Sequence, residues 1–373
     1  MIKDGHISPM QLISLFFILI VGKEMNSSIL ILIHAGHNAA ELLLMISQMI
    51  MVIVIACMLP LCKDPSKNLF DHFFDYFGPI VGFVFSLIMF VALMLDLSIN
   101  VTFDLEQIRS IFLPTTPIAL IVFILVLSMI IPVYYGIEVL GRTSLFMLYF
   151  IGVTILFTIV FSLSNANLNN IPPVFGPGMG ALLKQGIVHV GFFGELIAYL
   201  MMRPYLRSYS SFKRSFYFVS GSTLIIGVLQ VLSVQFVFPY PSNDQLFFPL
   251  IEMAKLIYFG RFIQHVESIY AVAWLVAMCV RLSFMMYVLS VAAASMVRAT
   301  NYRRFVPSIA ALVFYIALLP STLSDAIDFK DVVLEQRLPF LYGTILILFI
   351  IVGYFKLWRN KRADTKKAKL QSA

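Results

Sequence analysis

Gly22-Lys23-Glu24-Met25-Asn26-Ser27-Ser28 is a polar interruption between two apolar runs, Leu12 to Val21 and Ile29 to Ile33. Crossing a bilayer as a helix takes roughly 20 apolar residues, and neither run reaches that length. The two runs therefore span together, with the polar segment near mid-depth, where Lys23, Glu24 and Asn26 are costly. Backbone at that depth leaves helical form only where it lines a cavity or is buried in protein, so a broken helix marks a binding site. A polar extramembrane turn, with the first span beginning later, is the other reading. A second interruption, Gly191-Phe192-Phe193-Gly194-Glu195, lies in a later apolar run and pairs with the first.

The rest of the chain sets this pair in a membrane. Of 373 residues, 60% are hydrophobic and 12% charged, and the apolar runs are long and repeated. That excludes a soluble domain. A net charge of +7 is no sign of nucleic acid, because Lys and Arg sit in short inter-helix segments and the tail and form no basic groove with stacking platforms. Cys57, Cys62 and Cys279 are odd in number and lie in or beside apolar runs, as small buried hydrophobes do. Residues 1–6 lead into an apolar run with no small-residue cleavage site, so the first helix is expected to be retained.

Hydropathy predicts ten spans: 9–33 (broken), 41–61, 79–105, 118–138, 145–163, 182–203 (broken), 216–238, 267–296, 305–322 and 339–357. An even number puts both termini on one side. Eighteen of the 26 Lys and Arg fall on that side, and six fall opposite: Arg109, Lys184, Lys255, Arg261, Lys330 and Arg337. Lys23 and Arg281 lie within spans. The asymmetry places both termini in the cytoplasm. Matching breaks in spans one and six divide the chain into two five-span halves, 1–163 and 181–357, the second inverted because five is odd. The expected fold class is thus an all-α polytopic membrane protein with a 5+5 inverted repeat. Residues 164–180, with Pro172-Pro173 and Gly176-Pro177-Gly178, form an outer loop. Residues 247–260 form a capping helix too short to span. The stretch Lys356 to Lys369, most of it in the basic cytoplasmic tail 358–373, is expected against anionic lipid headgroups, at on the order of 1 kcal/mol per nearby cation, or serves as an ordinary stop-transfer flank.

Several polar groups are candidates for a central site. Glu195 lies mid-span beside Gly191 and Gly194, and either faces a cavity or is capped while the glycines allow close helix packing. His189 precedes it as a packed histidine. Asp96 and Asn100 share a helix face one turn apart. An acid within a span costs some 2.5 to 3.5 kcal/mol on insertion scales, so a partner is expected. Arg281 is assigned to Asp96 or Glu195, and Lys23 to its own neighbours. Gly22, Glu24, Asn26, Ser27 and Ser28 form the first break, whose neutral donors and acceptors suit an amino-acid carboxylate or the hydroxyls of a sugar or nucleoside. Tyr270 and Trp274 offer an aromatic wall, or simple packing. His34 and His37 share a helical face, but two ligands without a carboxylate or Cys partner make a weak metal site, and neither metal nor cofactor is expected. No phosphate-cradling loop and no nucleophile with a base at diagnostic spacing is present, so no enzymatic role is expected.

Six segments in fixed order resemble the B subunits of bacterial spore germinant receptors, which are similar in fold to permeases of the amino acid, polyamine and organocation superfamily. They are Ile7-Ser8-Pro9-Met10-Gln11-Leu12, Gly136-Ile137-Glu138-Val139-Leu140-Gly141-Arg142, Gly191 to Glu195, Phe248-Pro249-Leu250-Ile251-Glu252, Val266-Glu267-Ser268 with Trp274, and Leu318-Leu319-Pro320. The chain departs from the family pattern at Lys23 to Asn26, where small residues are usual, at Gln264-His265-Val266-Glu267, which keeps only the last acid of a Glu-Arg-x-Glu pattern, and at Arg281. The resemblance implies a nutrient-sensing subunit in the inner membrane of the spore. It would bind a small molecule such as an amino acid and act through an A-type membrane subunit and a C-type lipoprotein. The rival is a proton- or sodium-coupled amino-acid transporter. Proton-coupled members of the superfamily often carry a Lys in span five, whereas Leu145 to Leu163 holds none.

Overall fold

The computed structural model describes residues 4–170, 172–258 and 266–371, with side chains up to Arg359 apart from that of residue 244. Lys3, Arg261, Gln264 and His265 lie outside the described residues. Among the described residues the chain is helical throughout, with no strand.

The first span opens as its sequence dictates. Ser8 caps the helix, its hydroxyl accepting from the Gln11 amide while the Gln11 side chain accepts from the Ser8 amide, and Pro9 occupies the first helical position. This helix, α1 (Pro9–Glu24), ends at the polar stretch, and a turn over Met25–Ser28 leads into α2 (Ile29–Gly36). Gly22, Lys23 and Glu24 are still helical, so the break is narrower than the polar run. Next come α3 (Ala40–Met58), α4 (Leu69–Ile111), α5 (Ile118–Tyr135) and α6 (Ile137–Ser162). α4 is kinked at Gly78, where φ is 80° and Pro79 follows.

Span six is α7 (Met179–Val188), a 3₁₀ segment over His189–Ile197 and the short α8 (Ala198–Met201). Its interruption is a change of helix type and not an extended strand of backbone. Beyond it lie α9 (Tyr209–Val237), α10 (Pro249–Lys255), α11 (Val266–Met296), α12 (Val306–Ala317), α13 (Leu323–Phe329) and α14 (Leu338–Gln371). α10 is the capping helix, shorter than expected, with Leu250, Ile251, Met253 and Ala254 buried against α9 and α11.

The last span corrects the sequence reading. Hydropathy starts it at residue 339 and leaves Lys330 and Arg337 in an outer loop. Instead α13 continues into a π-helix over Lys330–Arg337 and on into α14, one helical run from Leu323 to Arg359. The charged run Lys330-Asp331-Val332-Val333-Leu334-Glu335-Gln336-Arg337 lowers the hydropathy average, yet Lys330 and Glu335 are each only 1% exposed.

Eight helical runs among the described residues are long and apolar enough to cross a membrane, and these runs count α2 with α3 as one. α1, of 16 residues, and α12, of 12, fall below that length. α1 crosses jointly with α2, which gives nine spans; the remaining one expected, 305–322, corresponds to α12, which is shorter than a crossing helix. α11 is buried over most of its length and packs against α1, α4, α5 and α6. A helix buried nearly all round needs no polar face, and its sequence shows none outside Glu267 in the first turn, Arg281 and a few hydroxyls.

The segments expected to share the terminal side do meet. Asp4 accepts from the Ile137 amide at 2.9 Å and pairs with Arg303 at 3.2 Å; the Ile7 amide donates to Tyr205 O at 3.0 Å; Lys356 Nζ donates to the carbonyls of Asp75 and Tyr76. Lys356 thus ties the end of the last span to the start of α4. On the opposite side Asn38 donates to Pro172 O at 2.8 Å, which lays the loop over the α2–α3 junction. Gly136 separates α5 from α6 with φ at 92°, and a Cβ there would lie 2.5 Å from Asp4 Oδ1. Both its conformation and its clearance exclude a side chain. Gly136→Val is expected to lower thermal stability in detergent by about 1–3 kcal/mol, while Val139→Leu on the exposed face leaves the melting curve unchanged; equal melting of the two variants would contradict this packing.

Candidate functional site

Three irregular segments converge on one polar cluster: the Met25–Ser28 turn, the 3₁₀ segment of span six and the π-helix of the last span. The last two pack against each other. A Cβ on Gly191 would sit 2.6 Å from Leu334 O, and one on Gly194 would sit 2.9 Å from the Tyr342 hydroxyl. These glycines therefore serve close packing against the final span. His189 bridges the same pair of segments, its ring lying 2.9 Å from both Gln185 O and Asp331 Oδ1.

α4 supplies Asp96, Asn100 and Asp104 at helical spacing on one face. Asn100 is the hub. Its Oδ1 accepts from Arg281 Nη1 at 3.2 Å and from Lys330 Nζ at 3.0 Å, and its Nδ2 donates to Asp96 O at 2.9 Å and Glu195 Oε1 at 3.3 Å. Lys330 also donates to Ser28 Oγ at 3.0 Å and stands 5.0 Å from the Phe103 ring centroid. Asn26 bridges the turn, donating to Asp104 Oδ1 at 3.0 Å while its Oδ1 accepts from the Ser28 amide at 2.9 Å. Tyr270 OH donates to Met25 O at 3.2 Å. At the break the Ser28 amide is thus met by Asn26 and Met25 O by Tyr270 of α11, while α4 and the π-helix hold the side chains of Asn26 and Ser28.

The charge pairing differs from the sequence expectation. Arg281 pairs with Asp104, not with Asp96 or Glu195. Lys23 is not satisfied locally: it reaches across to Glu195 Oε2 at 3.4 Å and donates to Phe192 O, with its ammonium 4.4 Å from the Phe192 ring centroid. Asp104, one turn beyond Asn100, lies closer to the Arg281 guanidinium than Asp96 does and is fully buried. Sequence reasoning missed Asp104, Lys330 and Glu335. The spacing of Asp96, Asn100 and Asp104 was the available signal for the first.

The remaining candidates scatter. Ser27 is fully buried, and its hydroxyl has no partner among the described residues. Gly22 packs on Ala277, and Trp274 is fully buried in α11 beside the Tyr270 face. Glu24 points away from the cluster, toward Gly227 on α9. His37 stacks on Tyr240 with centroids 4.7 Å apart, and no group of three or more His, Cys, Asp or Glu able to hold a metal occurs among the described residues. A cavity of about 20 Å³ adjoins the cluster, lined by Asp96, Gly191, Gly194, Glu195 and Tyr342 among others. That is room for about one water, not for an amino acid.

Residues 6–326 match the spore germination protein family. The chain belongs to that family. Among its relatives, spore germination protein KB of Bacillus subtilis is 22% identical over 318 residues, 81% of this chain and 82% of that protein. Spore germination protein XB of Bacillus anthracis is 23% identical over 337 residues, covering 87% and 91%. Putative spore germination protein YfkT of Bacillus subtilis is 25% identical over 228 residues, 61% of this chain and 62% of that protein's length. In fold the chain is similar to MhsT, in a crystal structure with L-phenylalanine, at a TM-score of 0.70 and 15% identity over 93% of this chain and 90% of that one. It also resembles a mutant of the Eremococcus coleocola manganese transporter, at a TM-score of 0.59 and 15% identity over 92% and 77%. The family member is therefore a permease-like, multi-pass integral membrane protein with the inverted-repeat fold.

The Arg281–Asp104 pair makes a specific prediction. Removing one partner of a buried pair strands the other, at about 3–5 kcal/mol, whereas replacing both by apolar groups is close to neutral. Arg281→Met and Asp104→Leu are each expected to melt far below wild type in detergent. The double variant is expected to recover most of that loss, and additive losses would disprove the pairing.

Proposed function

We propose that this chain is the nutrient-sensing subunit of a spore germinant receptor, binding a small molecule such as an amino acid at the cluster around Asn26, Asn100, Glu195 and Lys330. The observation that carries the reading is Asn100, a single amide that receives two cations, Arg281 and Lys330, while donating to Glu195. A zwitterionic ligand matches both halves of that arrangement. Its carboxylate replaces Asn100 and Ser28 as the acceptor for Lys330, and its ammonium meets Glu195 and Asp96. MhsT, whose fold is similar, has been crystallised with L-phenylalanine, which supports the same ligand class.

The adjoining cavity holds about one water, so a nutrient enters only as the break-bearing spans separate from α4 and the π-helix. Its affinity for the opened arrangement over the closed one is what shifts the equilibrium. The shift passes to an A-type membrane subunit and a C-type lipoprotein at the spore inner membrane, with both termini cytoplasmic. The halves 1–163 and 181–357 move as the two repeats. On this reading Asn26, Ser28, Asp96, Asn100, Glu195 and Lys330 touch ligand, Tyr270 and Trp274 support the break, and Gly22, Gly191 and Gly194 hold the helices close.

Calorimetric titration of the purified chain in nanodiscs with the standard amino acids tests the proposal. One or a few are expected to bind, with Glu195→Gln and Asn26→Ala each weakening binding at least about tenfold, the worth of one buried charge-assisted hydrogen bond. Concentrative, gradient-driven uptake by vesicles containing this chain alone would replace the sensor with the coupled transporter.

A further inference from the structure

Glu24 closes α1, and its carboxylate takes no part in the central cluster. It is 0% exposed, and neither of its oxygens has a hydrogen-bond partner among the described residues. It faces Gly227 on α9, where a Cβ would lie 2.8 Å from Oε1 and 3.0 Å from Oε2. A side chain at 227 would push this carboxylate aside. One turn further along the same face of α9 is Gln230, 1% exposed, with neither the oxygen nor the nitrogen of its amide partnered. One turn before Gly227 is Thr223, which receives Gln48 Nε2 of α3 at 2.7 Å and leaves Gln48 Oε1 as another buried acceptor without a partner. A seam between spans one, two and seven thus collects four buried oxygens and one amide nitrogen without hydrogen-bond partners among the described residues.

Among the described residues no cationic side chain pairs with them directly. Lys23 is committed to Glu195 and Phe192 O, Arg281 to Asp104 and Asn100, and Lys330 to Ser28 and Asn100. A buried ionised carboxylate is not stable without a counter-charge. The carbonyl end of α1, a helix of 16 residues, adds negative potential at the same place. Carboxylate, amide and hydroxyl oxygens are ligands for hard cations, and a single carboxylate among neutral oxygens balances one positive charge, not two.

We propose that Glu24, Gln230 and Gln48 form a site for a monovalent alkali cation, separate from the central cluster, that ties the break in span one to span seven. The cation joins α1 at its last residue to α9, so its loss frees the hinge at Met25–Ser28.

The test is the melting temperature of the detergent-purified full chain, without nutrient, in sodium, potassium or choline chloride at constant ionic strength and pH. Sodium or potassium is expected to raise the midpoint by roughly 3 °C or more over choline as the site fills. Glu24→Gln is expected to abolish that rise while melting in choline at or above wild type, because a neutral amide needs no counter-ion. Gln230→Leu, the second variant should Glu24→Gln not fold, is expected to need about tenfold more cation for half the rise. Three outcomes overturn the proposal: identical melting in all three salts, a midpoint that follows pH but not cation identity, and a cation effect that survives Glu24→Gln. Since no nutrient is present, these results are independent of ligand binding at Glu195.

Discussion

The break between α1 and α2 leaves backbone groups without helical partners inside a low-dielectric body, and the rest of the core is arranged around meeting that need. Water cannot do so at bilayer depth, and each unmet group costs several kcal/mol. Asn26 turns back to the Ser28 amide and Tyr270 reaches Met25 O from α11, while Lys330 of the last span fixes the turn through the Ser28 hydroxyl. Three elements far apart in sequence are thereby held at one depth. The hydrophobic contacts around them are abundant but unspecific, and the polar contacts fix which spans are neighbours.

The same need accounts for the other two irregular helices. A 3₁₀ segment is thinner and longer per residue than an α-helix, and a π-helix is wider, so each displaces side chains from their α-helical directions. In span six this turns the Phe192 carbonyl and the Glu195 carboxylate toward Lys23. In the last span it carries Lys330 to Asn100. The glycines at 191 and 194 let the two segments approach until one backbone nearly touches the other. Neither irregularity serves packing alone, since regular helices with small residues pack closely as well.

Much of this was legible in the chain and part was not, for reasons that differ by residue. Apolar run lengths place nine of the ten spans, and the polar stretch at Gly22–Ser28 marks the break, because a bilayer makes mid-span polarity conspicuous. Asn26, Asn100 and Glu195 were drawn together on the same ground. Lys330 and Glu335 were lost because a hydropathy average treats a cluster of charges as the end of a span, and no local periodicity announces a π-turn. Partner choice was also beyond the sequence. Lys23 and Glu24 are adjacent, yet successive residues on a helix diverge by about 100°, so one meets span six and the other span seven. Which cation takes which acid depends on the reach of Arg281 and Lys23 across packed helices, a property of tertiary placement.

A cluster wired this way suits a switch better than a brace. Asn100 Oδ1 accepts from both Arg281 and Lys330, two cations that repel each other and share one neutral oxygen. Arg281 has Asp104 as its own acid, whereas Lys330 holds only a hydroxyl and the shared amide by hydrogen bonds. The counter-charges of Lys330, which are Asp96, Glu335 and Glu195, act on it through space and not through a direct ion pair. A ligand able to shift a conformational equilibrium must interact unequally with the two states. On the proposed reading, a buried ammonium beside a helix break, with no carboxylate hydrogen-bonded to it, supplies that inequality.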